Sequence, residues 1–166
     1  MPVLVGIPVL LLTVILQTTV LSRIPMLFGV PDLVMLVFLA WFLDENVKHG
    51  WEWVVMSGIM VSFVSALPFF LPFWMYLGIA LITFWLKNRI WQTPIMGMLV
   101  STLIGTVLMQ GASIFVLQFM GTDVPFQQSL QLVVLPSILW NLILAIPVYS
   151  LVKELVYLVY PGEAEE

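Results

Sequence analysis

Cysteine is absent from the 166-residue chain, which excludes disulfides, thiolate catalysis and cysteine-ligated metals. Charge is nearly as scarce, since only 8% of residues are Asp, Glu, Lys or Arg. Five basic and nine acidic residues leave a net charge of -4. The basic residues form no patch, which argues against a nucleic-acid partner. Histidine occurs once, as His49, and with no second histidine it reads as a solvated loop residue rather than a ligand. Sustained alternation of apolar and polar residues is also missing, so a membrane β-barrel is disfavoured.

What remains is oil-like. Hydrophobic residues make up 62% of the chain and the mean hydropathy is +1.14. In water such a chain would expose large apolar patches and aggregate, so lipid is its natural surrounding. No Asp, Glu, Lys or Arg occurs in residues 53–86, 90–122 or 124–152. Each stretch exceeds the roughly 20 residues that span a hydrocarbon core about 30 Å thick. Backbone groups in lipid must be satisfied within the segment, which makes these stretches helices. The apolar run at residues 3–21 has no Lys or Arg before it and no small-x-small cleavage site after it, so it reads as a retained helix. The expected organisation is a single transmembrane helical domain, residues 1–160, followed by a short acidic tail, residues 161–166, that stays in water.

The expected all-α polytopic fold has six transmembrane helices. The first covers about residues 3–22 and is ended by Arg23 and Pro25, with an interfacial loop after it. Pro31 and Asp32 open the second, Pro at an early position and Asp at the positive end of the helix dipole. Its charge-free part, residues 33–43, is short for a span unless Asp32 and Asp44 lie among the headgroups. Residues 44–50 read as a water-facing loop. Residues 51–86 would rise about 50 Å as one helix, so Pro68 and Pro72 mark a turn between a third and a fourth helix, with Lys87 and Arg89 snorkelling at the far end. The fifth helix runs from Pro94 to about Phe119. The sixth runs from about Gln131 to Val152, with Pro136 near its start and a bend at Pro147, and residues 153–160 form an amphipathic or interfacial extension. Six spans put Lys48, Lys87, Arg89 and Lys153 on one side and both termini in the cytoplasm. Five spans would skew the charges equally; length favours six. Trp51, Trp53, Trp85 and Trp91 are expected as interfacial anchors.

No ionisable residue falls deep in any predicted span, so the marks of a proton relay, pump or intramembrane enzyme are missing. No catalytic residue, cofactor or metal is expected; enzyme chemistry would have to come from loop residues such as Asp44, Glu45, His49 and Glu52. Asp123 reads as solvent-exposed. The polar residues within spans are neutral: Gln17 with Thr18 and Thr19; Thr102, Thr106 and Gln110 on one face of the fifth helix; and Ser137 with Asn141. These either bond to the chain's own helices or line a cavity or partner surface, at about 1 kcal/mol per bond. Asn141 lies near mid-span, where an unpaired amide is costly. Small residues repeat every four positions, as Gly97, Ser101 and Gly105 and as Gly58, Ser62 and Ala66, a pattern that permits close helix approach. The residues expected in helix packing or partner contact are Gln17, Pro31, Asp32, Gly97, Ser101, Gly105, Gln110, Ser137 and Asn141.

Leu16-Gln17, then Pro31-Asp32-Leu33, then Leu135-Pro136-Ser137 followed by Asn141, Pro147 and Tyr149 occur in an order that resembles the rod shape-determining membrane protein MreD family. The likeness extends over residues 13–155. One family element, Gly-Leu-x-x-Asp in the third helix, has no acidic residue here, where the stretch begins Gly58-Ile59-Met60-Val61-Ser62. The resemblance implies six helices with both termini cytoplasmic, in the bacterial cytoplasmic (inner) membrane, and a fold similar to the substrate-binding subunits of energy-coupling-factor transporters. It implies a non-enzymatic role: binding the scaffold MreC and supporting rod shape and peptidoglycan synthesis with MreB, RodA and a class B penicillin-binding protein, in contact with membrane lipids. The alternative expectation is a small-molecule-binding subunit of a membrane transporter.

Overall fold

A computed structural model describes residues 2–19, 29–47, 50–90, 94–122 and 125–160. Its elements are α1 (Pro2–Thr19), α2 (Leu33–Leu43), α3 (Gly50–Val64), α4 (Phe70–Ile90), α5 (Pro94–Phe119), α6 (Phe126–Ser129) and α7 (Leu135–Val159), with no strand among the described residues. A π turn at Leu130–Val134 joins α6 to α7 as one helical column, Phe126–Val159. That column, α5, and Phe70–Lys87 of α4 are long and apolar enough to cross a membrane, whereas α1, α2 and α3 are shorter apolar helices. The all-helical class and the apolar, membrane-compatible helices agree with the sequence reading. The Arg23 and Pro25 segment, Lys48, His49, Trp91, Asp123 and the acidic tail lie outside the described residues.

The sequence of α2, LVMLVFLAWFL, has no face that prefers water, and a helix apolar on every side belongs inside other protein. α2 is the centre of the bundle. Its residues from Val34 to Leu43 are all buried, and α1, α3, α4, α5 and α7 pack around it. Its 11 residues rise about 16 Å, roughly half a hydrocarbon core. The expectation that both Asp32 and Asp44 sit among headgroups is therefore corrected at Asp32. Asp32 lies beside Thr106 and Asn141, near the midpoints of α5 and of the Phe126–Val159 column. At the other end of α2 Asp44 is itself buried, at 7% exposure, while Glu45 after it is exposed.

Opposite charges complement the two ends of this short helix. Asp32 Oδ1 accepts from Met35 N–H at 3.0 Å, the side-chain N-cap that a helix start favours. At the other end Lys87 Nζ donates to the carbonyls of Phe42 at 3.4 Å and Asp44 at 3.2 Å. Lys87, expected to snorkel, thus turns toward α2, where carbonyls without helical partners attract a cation.

The small residues set the packing distances. A Cβ on Gly105 would lie 2.9 Å from Met35 Sδ and 3.2 Å from Ile79 Cγ2, so α5 rests on α2 and α4 through a bare backbone. A Cβ on Gly58 would lie 3.3 Å from Phe73 Cα, which brings α3 against α4; Ser62 is buried on the same face, while Ala66 lies exposed in the turn that follows. That turn falls where Pro68 predicts it: Leu67 N–H bonds Ser65 Oγ at 3.1 Å and Leu71 N–H bonds the Pro68 carbonyl at 2.9 Å. Pro72 then sits in the first turn of α4, where its missing N–H costs little.

Two expectations change further. Trp53 is no interfacial anchor, being fully buried and stacked on Trp41 at 3.9 Å and 10°; α1 covers it at Gly6. The last helical column begins at Phe126 rather than near Gln131 and continues past Val152 to Val159, with Val156 buried. The π turn precedes Pro136, and in it Leu135 N–H reaches back to the Leu130 carbonyl. A proline ring crowds the carbonyl four residues earlier, and a wider turn gives it room.

Candidate functional site

The first N–H groups of a helix have no acceptor within it, and at α2 they lie in the bundle interior. Side chains from distant parts of the chain satisfy them. Asp32 N–H donates to Asn141 Oδ1 at 2.8 Å, Val34 N–H to Gln17 Oε1 at 3.1 Å, and Met35 N–H to Asp32 Oδ1 at 3.0 Å. Just upstream, Val30 N–H donates to Ser137 Oγ at 3.1 Å. Pro31 is buried between them and, lacking an N–H, needs no partner.

These acceptors are themselves held. Asn141 Nδ2 donates to Thr106 Oγ1 at 2.9 Å, and Thr106 donates to the Thr102 carbonyl at 2.7 Å. Gln110 Nε2 donates to Ser137 Oγ at 3.3 Å. The Tyr76 hydroxyl lies 2.7 Å from both carboxylate oxygens of Asp32. Ser137 and Asn141 are one turn apart on α7, as are Thr106 and Gln110 on α5, so each helix presents both of its polar groups on one face. Ser137, Asn141 and Thr106 are at most 2% exposed. Burial at that depth requires that polar atoms be bonded.

Glycine completes the fit. A Cβ at Gly29 would stand 2.6 Å from Pro136 Cβ and 2.7 Å from Ser137 N. The strand of chain leading into α2 therefore lies directly on α7.

Of the residues singled out in the sequence, Gln17, Pro31, Asp32, Gln110, Ser137 and Asn141 converge on the start of α2. Gly97, Ser101 and Gly105 do not join them; they are buried along α5, and the Ser101 and Thr102 hydroxyls have no hydrogen-bond partner among the described residues. Tyr76 was missed. Its signal was available, as a tyrosine in a long apolar run whose hydroxyl needs a partner once buried.

A cavity of about 350 Å³ lies over this network. Gln17, Asp32 and Gln110 contribute polar groups, and Val14, Val61 and Leu117 contribute apolar walls. A groove of similar volume, about 350 Å³, runs between α1 and α7 with Leu33 and Val37 of α2 at its floor. Its lining is apolar apart from Thr13, whose hydroxyl bonds the Val9 carbonyl of its own helix at 2.7 Å. No cluster of three His, Cys, Asp or Glu side chains suited to a metal occurs among the described residues. The arrangement can fix the entry to a half-length helix and present one carboxylate and two amides to a cavity. In comparisons with known proteins, no family model, no curated protein and no solved structure matches the chain.

Proposed function

We propose that this chain is a non-enzymatic component of the bacterial cell-elongation complex, of the MreD type, which binds an MreC-like scaffold in the cytoplasmic membrane and supports rod shape and peptidoglycan synthesis. In this reading the bundle crosses the membrane six times with both termini cytoplasmic, in a fold like that of energy-coupling-factor substrate-binding subunits. MreB, RodA and a class B penicillin-binding protein are the wider partners.

One observation carries the reading. Among the residues that carry the resemblance, Gln17, Asp32, Ser137 and Asn141 come from both ends of the sequence and meet in one hydrogen-bonded cluster around the buried Pro31. Motif positions that build one local structure make a coherent architectural signature, which supports the reading. Co-purification from solubilised membranes tests the assembly role: the scaffold is expected to elute with the chain. A chain that elutes alone in mild detergent while the scaffold is present in the same membranes would count against it.

The cavity favours a second reading, a small-molecule-binding membrane subunit. A volume of about 350 Å³ with polar groups at one side falls at the small end of ligand sites, which run roughly 300–1,000 Å³. Saturable ligand binding by the purified chain, lost when the cavity is filled, would establish it.

A further inference from the structure

We propose that the cavity over the start of α2 takes a small apolar molecule bearing one ammonium group, with Asp32 as its counter-charge. The proposal rests on the second reading above and names its ligand class.

The space exists because α2 begins only partway through the bundle. Beyond its first turn, α1, α3, α5 and the π turn face one another across a volume that no central helix fills, lined by Val14, Val61, Leu117 and Val133 among others. These walls suit an apolar body. The polar side is acceptor-rich. Asp32 retains partial exposure and lines the cavity beside Gln17 and Gln110, and among the described residues the lining contains no Lys, Arg or His. An anion would meet the Asp32 carboxylate there, with no cation among the described lining residues to offset its desolvation.

Among the described residues Asp32 also lacks a counter-ion. Tyr76, Met35 and the Gln17 amide donate hydrogen bonds to it, but no cation pairs with it among the described residues. Lys87 is engaged at the opposite end of α2 by the Phe42 and Asp44 carbonyls. An ionisable side chain inside a membrane bundle ordinarily finds a partner or marks a ligand path. Gln110 uses its amide N–H on Ser137, so its carbonyl oxygen remains as a second acceptor beside the carboxylate. A carboxylate and an amide oxygen at one wall match an ammonium, which only donates.

Titration calorimetry of the full chain in non-ionic micelles, with phenethylamine, phenethyl alcohol and 3-phenylpropionate as probes, tests this. The amine is expected to bind saturably, at least about tenfold more tightly than the alcohol, the ratio a charged hydrogen bond supplies; the carboxylate is expected not to bind. Asp32→Asn should bring amine and alcohol to equal affinity. Leu117→Trp fills the cavity without removing a bond of the network and should abolish binding of all three, so it carries the test if Asp32→Asn fails to fold. Equal or tighter binding of the alcohol or the carboxylate, lost in Leu117→Trp, would overturn the ammonium assignment and leave the ligand-binding reading standing. Absence of saturable binding by any probe, or binding unchanged in Leu117→Trp, would overturn both.

Discussion

Asn141 accepts from Asp32 N–H at 2.8 Å and donates to Thr106 at 2.9 Å, so one amide ties α2, α5 and α7 together. Asn141→Leu would leave the Asp32 N–H without an acceptor in a place closed to water, at about 1–3 kcal/mol for the orphaned group. It would remove about 1 kcal/mol more with the bond to Thr106, which keeps its own bond to the Thr102 carbonyl. Tyr76→Phe removes the hydroxyl from the Asp32 carboxylate and is expected to cost about 1.5–3 kcal/mol, the range for bonds to charged groups. Ser137→Ala should cost less, because Val30, whose N–H it accepts, is 49% exposed. Equilibrium unfolding in mixed micelles should rank the variants in that order; Ser137→Ala as the most damaging would contradict the central place of Asn141. Gln17, Ser137 and Asn141 were legible in the sequence because a polar side chain in an apolar span demands a partner. Asp32, by contrast, reads there as a helix opening among headgroups, and its place in the bundle interior was not legible. Which partner each finds was not legible, since Asp32 and Asn141 lie 109 positions apart and nothing local relates them. Tyr76 escaped notice because a tyrosine also suits a membrane interface, so its type alone does not mark burial.

Glycines separate the elements that need close approach from those that do not. At Gly105 the nearest atom to an added Cβ is the flexible end of Met35, at 2.9 Å. Gly105→Ala should therefore be mild, while Gly105→Leu forces α5 off α2 and costs about 1–3 kcal/mol or more, as overpacking does. Gly111, on the same helix, meets nothing within 4 Å. Gly111→Ala is expected to stabilise α5 by about 0.5–1 kcal/mol through the helix preference for alanine. Opposite shifts in thermal midpoint for Gly105→Leu and Gly111→Ala are the outcome to check. Helix positions followed well from the runs of charge-free residues, α5 and α2 above all. The π turn was not legible, because Pro136 alone does not say whether a helix starts there or widens to pass it. The role of α2 was misread because its length was judged against a bilayer, when its uniformly apolar surface already pointed to a core helix.

For the molecule as a whole, the missing cysteines make topology directly testable. Phe69 is half exposed in the α3–α4 turn, and Glu45 is exposed just after α2. Single Phe69→Cys and Glu45→Cys variants should label with an impermeant reagent from opposite sides of the membrane if α3 crosses it. Same-side labelling would reduce the number of spans. The membrane class was plain from composition, because hydrocarbon-like stretches have one favourable solvent. The cavity was not, since an empty volume arises from where a helix stops relative to its neighbours.

The central position of α2 also divides the protein in time. Every amide of that helix is enclosed by five others, so its hydrogens can exchange with deuterium only when the bundle opens cooperatively. The turn between α3 and α4, where Ala66 and Phe69 are exposed on the outside of the bundle, can trade its protons through local fluctuation. A slow inner register and a fast outer one should therefore coexist in a single 166-residue chain, with the boundary falling near Asp32.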